Sequence, residues 1–231
     1  MPIELICIDA DDTLWHNMRH FDVAERAFAS ILEPFAATGV AMERLQAIGA
    51  RNLKLYGYGA KSFTLSMIET ATEICGDSLS ASTVRDILEA GRQLHSHPVE
   101  LMPGVEETLQ SLSERARLIL VTKGDLLHQE AKLAASGLGE RFSAIEIVSD
   151  KNADTFRRLF SRYELVADQC VMVGDSIRSD ILPALQAGAW AAFVPAEIVW
   201  HHERAEPPLD HPRFKELSAL VDVPDWIDSL E

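Results

Sequence analysis

Five short apolar runs, rich in β-branched residues, constrain what this chain can fold into more than any other feature. They are Glu4–Ile8, Arg117–Val121, Ala144–Val148, Cys170–Val173 and Ala191–Val194. Runs this short and continuous read as strands buried on both faces, since a half-exposed strand alternates apolar with polar residues. Helical spacing fills the gaps between the last four: Leu126, Ala131, Leu133 and Ala134, then Phe156, Leu159, Phe160 and Tyr163, then Ile181, Leu182, Leu185 and Ala187. Strand alternating with helix predicts an α/β fold, a doubly wound, Rossmann-like parallel sheet covered on both sides.

One interval breaks the alternation. Residues 16–98 are far too many for a loop, and their apolar positions have helical spacing. Ala24, Phe28, Ile31, Leu32 and Phe35 form one set, Leu65, Ile68, Ala71 and Thr72 a second, and Val84, Ile87 and Leu88 a third, punctuated by Gly39, Gly57, Gly59 and Gly76. This predicts an inserted all-helical cap domain, leaving residues 1–15 and 99–231 as the α/β core with a C-terminal extension. The extension carries Pro207, Pro208, Pro212 and Pro224 and is expected to form short helices packed on the core.

Charge narrows the partners. The chain has 36 acidic against 21 basic residues, a formal net charge of -15, which disfavours nucleic acid and anionic membrane surfaces. A small anionic ligand stays compatible if positive groups converge in one pocket. Cys7, Cys75 and Cys170 are odd in number and widely spaced, the pattern of reduced, buried thiols. The start of the chain lacks the basic-then-apolar pattern of a signal peptide, and no apolar run approaches the roughly 20 residues of a membrane span. A cytoplasmic protein is expected; the oligomeric state is not fixed by the sequence.

Ligands of open α/β sheets bind beyond the carboxyl ends of the strands, so the residues standing there matter most. The first strand ends in Asp9-Ala10-Asp11-Asp12-Thr13, the second in Thr122-Lys123-Gly124-Asp125, the third in Ser149-Asp150-Lys151, and the fourth in Gly174-Asp175-Ser176 with Asp180 close behind. Carboxylates gathered on one edge raise one another's pKa unless a cation intervenes. Magnesium, which accepts carboxylates, waters and phosphate oxygens, suits such a site. Asp9 and Asp175 are the candidate side-chain ligands and the Asp11 carbonyl a third; Asp180 either binds directly or orients a coordinating water. Asp12, Asp125 and Asp180 equally suit helix caps and turns. Of the histidines, His95, His97, His201 and His202 lack the spacing of structural zinc, while His16 and His20 follow the first strand closely.

Asp9-x-Asp11-x-Thr13 after a hydrophobic strand resembles the first motif of the haloacid-dehalogenase-like hydrolases. Thr122, Lys151 and Gly174-Asp175-Ser176-x-x-x-Asp180 are similar to the second, third and fourth, in the family's order. The resemblance covers about residues 1–15 and 99–195, and the helical insert matches the position of the family's first-type cap. It implies a Mg2+-dependent phosphatase acting on a small phosphorylated metabolite. Asp9 would be the nucleophile that becomes an aspartyl-phosphate, and Asp11 the acid and then the base. Thr122, with Lys123 and Gly124, would hold phosphoryl oxygens, and Lys151 would neutralise charge. A phosphomutase-type transferase or an idle phosphate-binding domain are the alternatives. Two departures stand beside the functional groups: Asp12 where glycine is common, and Asn152 where many members have proline. The acid at Asp11 favours phosphate esters, since the family's dehalogenases lack it and a departing halide needs no proton. Within the cap, the stretch Tyr56-Gly57-Tyr58-Gly59-Ala60-Lys61-Ser62 offers a substrate contact at Lys61.

Overall fold

The computed structural model describes residues 2–230; Met1, Glu231 and the His202 side chain lie outside the described residues. Six parallel strands form one sheet: β1 (Leu5–Ile8), β2 (Arg117–Lys123), β3 (Ala144–Val148), β4 (Cys170–Gly174), β5 (Trp190–Phe193) and β6 (Phe214–Glu216). Their order is β3-β2-β1-β4-β5-β6. Ile8 stands opposite Leu120 of β2 and Val173 of β4, so β1 is central and the ends of β2 and β4 flank its end.

Alternation along β1 explains why both faces must be covered. Ile6 and Ile8 join one core with Leu118, Leu120, Val171 and Val173. Leu5 and Cys7 join the other with Ile119, Val121, Cys170 and Met172. Burying a side chain of this size is worth about 1.5–3 kcal/mol, and every β1 residue is fully buried. No polar residue is tolerated until the strand ends. The helices of this sheet are α5 (Val105–Ser113), α6 (Leu126–Ser136), α7 (Ala153–Arg162), α8 (Leu182–Ala187) and α9 (Val223–Asp228).

The chain divides into two compact units. Met1–His16, Val99–Lys123 and Gln129–Glu231 form the sheet unit; Asn17–Pro98 and Gly124–His128 form the other. The second unit contains α1 (Met18–Leu32), α2 (Thr38–Tyr56), α3 (Ala60–Cys75) and α4 (Ala81–His95). Phe28 and Leu32 of α1, Ala41 and Leu45 of α2, Met67 and Ala71 of α3, and Ile87 of α4 make its core. A Cβ at Gly91 of α4 would meet Thr64 of α3 at 2.3 Å, so only glycine permits that approach.

Four features differ from expectation. Ala144–Val148, expected to be buried on both faces, is the edge strand β3, and its Ile145 is exposed. The extension supplies β6 at the sheet edge, where only short helices were expected; Phe-Lys-Glu is too short and too exposed to show an apolar run. Gly39 lies inside α2 rather than breaking the chain. The last expected strand begins one residue earlier, at Trp190. All three cysteines are free and buried. Among the described residues no helix is long and apolar enough to cross a membrane.

Candidate active site

The site grows from the ends of β1, β2, β3 and β4. The Asp9 amide donates to the Val173 carbonyl at 2.9 Å, which extends the ladder one residue and aims the Asp9 side chain off the strand end. One carboxylate oxygen from each of Asp9, Asp175 and Asp180 lies within 4.8 Å of the others. Lys151, buried after β3, donates to Asp9 Oδ1 and, at 2.6 Å, to Asp180 Oδ1. The Ser176 amide donates to Asp180 Oδ2 at 3.0 Å. Asp180 itself follows β4 in a one-turn π-helical segment, Ile177–Ile181, a local widening common at functional sites. A Cβ at Gly174 would lie 2.3 Å from Asp180 Oδ2, so the absence of a side chain lets this carboxylate lie against the strand end.

Electrostatics follow from this crowding. Burial, with the charges of Asp180 and Asp11, raises the Asp9 carboxyl from 3.8 to about 7 against the pull of Lys151. Burial, then Asp9 and Asp180, push Asp175 well above the usual carboxylate range. Burial depresses Lys151, but Asp180 and Asp9 outweigh it and hold the ammonium charged. Three carboxylates share one ammonium, so ionising all of them calls for further positive charge, which a divalent cation would supply. Hard oxygen donors at this density fit a magnesium-type ion.

Asp11 leaves the same loop and is held by a second buried lysine. Lys132, only 5% exposed, donates to Asp11 Oδ1 at 2.5 Å. Trp15 Nε1 donates to the same oxygen at 2.7 Å. Gln129 Nε2 lies 3.1 Å from Asp11 Oδ2, 2.7 Å from Thr122 Oγ1 and 2.9 Å from the Lys123 carbonyl, tying Asp11 to the end of β2. Burial acts to raise Asp11, but Lys132 with these donors outweighs it and keeps the carboxyl below its usual value. Gln129 and Lys132 were not apparent in the sequence. Their i, i+3 spacing on α6 places both on one face, and that polar face is buried while Leu126 and Leu127 are exposed.

Other expected residues fall as follows. Thr13 Oγ1 reaches Asp9 Oδ2 at 3.4 Å. Asp12 has φ of 62°, a left-handed conformation open to glycine and, at lower cost than for other side chains, to aspartate; this accounts for aspartate standing where glycine is common. Lys123 Nζ bonds Ser179 Oγ at 2.6 Å and pairs with Glu203. Lys61 pairs with Asp125 at 2.9 Å within the helical unit, and Asp125 also accepts from the His128 amide at 3.0 Å. Gly124, next to Lys123, belongs to that unit in its grouping. His20 and His97 stack there at 3.7 Å between ring centroids.

Residues 3–188 match the family of haloacid dehalogenase-like hydrolases. N-acylneuraminate-9-phosphatase of Mus musculus is 27% identical over 139 residues, covering 57% of this chain and 53% of that protein. The Homo sapiens protein of the same name is 26% identical with the same coverage. The chain thus spans about half the length of the curated relatives it matches. A haloacid dehalogenase-like family hydrolase from Xanthomonas campestris superposes with a TM-score of 0.89 at 38% identity, covering 99% of this chain and 91% of that one. The Bacillus subtilis HAD-hydrolase YfnB, described as bound to magnesium, superposes with a TM-score of 0.67 at 19% identity, covering 99% and 100%. With strand-end chemistry, sheet order and sequence in agreement, the chain belongs to the haloacid dehalogenase-like hydrolases.

Proposed function

We propose that this hydrolase is a magnesium-dependent phosphatase of a small phosphomonoester, with Asp9 as nucleophile. The observation that carries the reading is the Asp9 carboxylate at the end of the central strand, paired with buried Lys151, with a second carboxylate two residues on. Asp9 attacks phosphorus; its P–O bond forms as the ester P–O bond breaks, leaving an aspartyl-phosphate. Asp11 gives a proton to the leaving oxygen and takes one from the water that hydrolyses the acyl phosphate. Lys132 holds Asp11 ionised, the form required for the second step; acting as the acid requires its release from that lysine. Thr122 and the amides of Lys123 and Gly124 bind the phosphoryl oxygens, and Lys151 offsets their charge.

Asp9, Asp175 and the Asp11 carbonyl would hold Mg2+, with Asp180 as ligand or as orienter of a bound water. The ion, when bound, supplies positive charge to the phosphoryl group. The phosphatase relatives support phosphate esters as the substrate class, and Asp11 favours them over carbon–halogen bonds, whose halide leaves without a proton. The test is phosphate release from a panel of phosphorylated metabolites with Mg2+, using Asp9→Asn as control. Loss of nearly all turnover in a folded variant is expected. Turnover undiminished by that change would refute the mechanism.

A further inference from the structure

The connection between β5 and β6 returns to the active-site edge of the sheet. Glu203, in the turn His201–Glu203, accepts hydrogen bonds from Lys123 Nζ, from Ser176 Oγ at 2.6 Å and from Ser179 Oγ at 2.5 Å. Both charged partners are largely buried, the Lys123 side chain 15% and the Glu203 side chain 13% exposed. Each donor is the immediate chain neighbour of a residue already placed in the site: Lys123 of Thr122, Ser176 of Asp175, and Ser179 of Asp180. Lys123 bonds Ser179 as well, so the donors from β2 and from the loop after β4 meet at one point, and β1 lies between those two strands.

One ammonium and two hydroxyls converging on a single carboxylate make a recognition set for an anion. Burial raises Glu203, but Lys123 and the hydroxyls outweigh it and keep the group ionised. None of the steps above uses Glu203. It sits in a connection of about twenty residues, longer than most within compact domains, whose regular structure is one three-residue turn. A carboxylate on such a segment is a tethered occupant that a competing anion can displace.

We propose that Lys123, Ser176 and Ser179 form a second anion position beside the phosphoryl site, filled here by Glu203. The substrate that displaces it is a phosphomonoester bearing a carboxylate of its own. The inference rests on the phosphatase reading and adds the substrate class. Pairing with Glu203 also explains how a lysine next to the phosphoryl-binding threonine is held in place between substrates.

The test uses non-hydrolysable probes. Methylphosphonate reports the phosphoryl site alone; phosphonoacetate and 3-phosphonopropionate add a carboxylate at two distances. Calorimetry with Mg2+ on the full chain is expected to show one phosphonocarboxylate binding ~10-fold tighter than methylphosphonate, the scale of a charge-assisted bond. Glu203→Gln, which removes the competing charge and keeps the shape, should widen that ratio several-fold while leaving methylphosphonate binding unchanged. Lys123→Met should abolish it. Equal binding of both probe types overturns the proposal, as does a Glu203→Gln protein that loses Tm and binds all probes more weakly, since Glu203 is then a strut. If methylphosphonate itself fails to bind and no phosphate ester is turned over, the phosphatase reading falls and takes this one with it.

Discussion

Replacing Lys151 by methionine tests how the site is held together. The change keeps side-chain length and removes the one ammonium bonded to both Asp9 and Asp180. Three carboxylates with ligand oxygens within 4.8 Å are then left without that cation. At an effective dielectric constant of about 20, two unit charges at that distance repel by about 3.5 kcal/mol. Removing one partner of a buried ion pair typically costs about 3–5 kcal/mol, so the two routes agree. For a chain of this size, that is a fall in Tm of roughly 6–20 °C.

The sign of the pH dependence follows from the same groups. Asp9 stands at about 7 in the fold against an ordinary 3.8. Its contribution to stability is therefore fully present below 3.8 and is lost as pH rises through 7, a change of at most about 4 kcal/mol. Lys151 is raised, so its contribution is present throughout the neutral range and disappears only in strong base. Without divalent ion, the wild type should gain stability on acidification from pH 8 to 5, and Lys151→Met should gain more, because a proton replaces the lost ammonium. Mg2+ at pH 8 should restore much of the variant's loss. Calorimetric melting of both proteins across this range, with and without Mg2+, gives the answer, together with a fall in turnover of about 10²–10³-fold. A variant whose Tm is unchanged, or falls without responding to pH or to Mg2+, would refute the account of three mutually repelling carboxylates.

Further outcomes follow from the geometry. Gly174→Ala places a Cβ 2.3 Å from Asp180 Oδ2 and should weaken Mg2+ binding by about 10–100-fold, read by titration of the ion against Tm. Asp12→Gly should change stability by less than about 1 kcal/mol, because φ of 62° suits glycine. Asp12→Val, in contrast, should cost roughly 1–3 kcal/mol in denaturant unfolding. Lys132→Met removes the main influence lowering Asp11, so the acidic limb of the kcat profile should move to higher pH. Lys132→Arg should restore it, and an unmoved limb would show that Lys132 does not act through Asp11.

What was legible in the sequence has a common physical cause, and so does what was not. The inner strands stood out because burial on both faces demands apolar runs, and Asp9, Thr122 and Asp175 stood out because each lies at or just past such a run; Lys151 follows the edge strand β3, which is apolar at four of its five positions although Ile145 is exposed. These are signals local in the chain. The edge strand β6 needs no apolar run, because its Lys215 and Glu216 face solvent. Helix α2 buries Ala41, Leu45, Ile48 and Asn52, a regular stripe diluted by a small and a polar residue and interrupted to the eye by Gly39 and Gly49. Lys132 and Glu203 are hidden for a stronger reason. A lysine on an amphipathic helix and a glutamate in a proline-rich tail belong on the surface by every local rule, since burying an unpaired charge is prohibitive. Each is buried here only because a partner 121 or 80 residues away carries the opposite charge. No window of sequence contains both members of either pair. The polar residues that tune Asp11 and occupy the Lys123 cradle are thus set by tertiary pairing, whereas the residues proposed for the chemistry are set by where the strands stop.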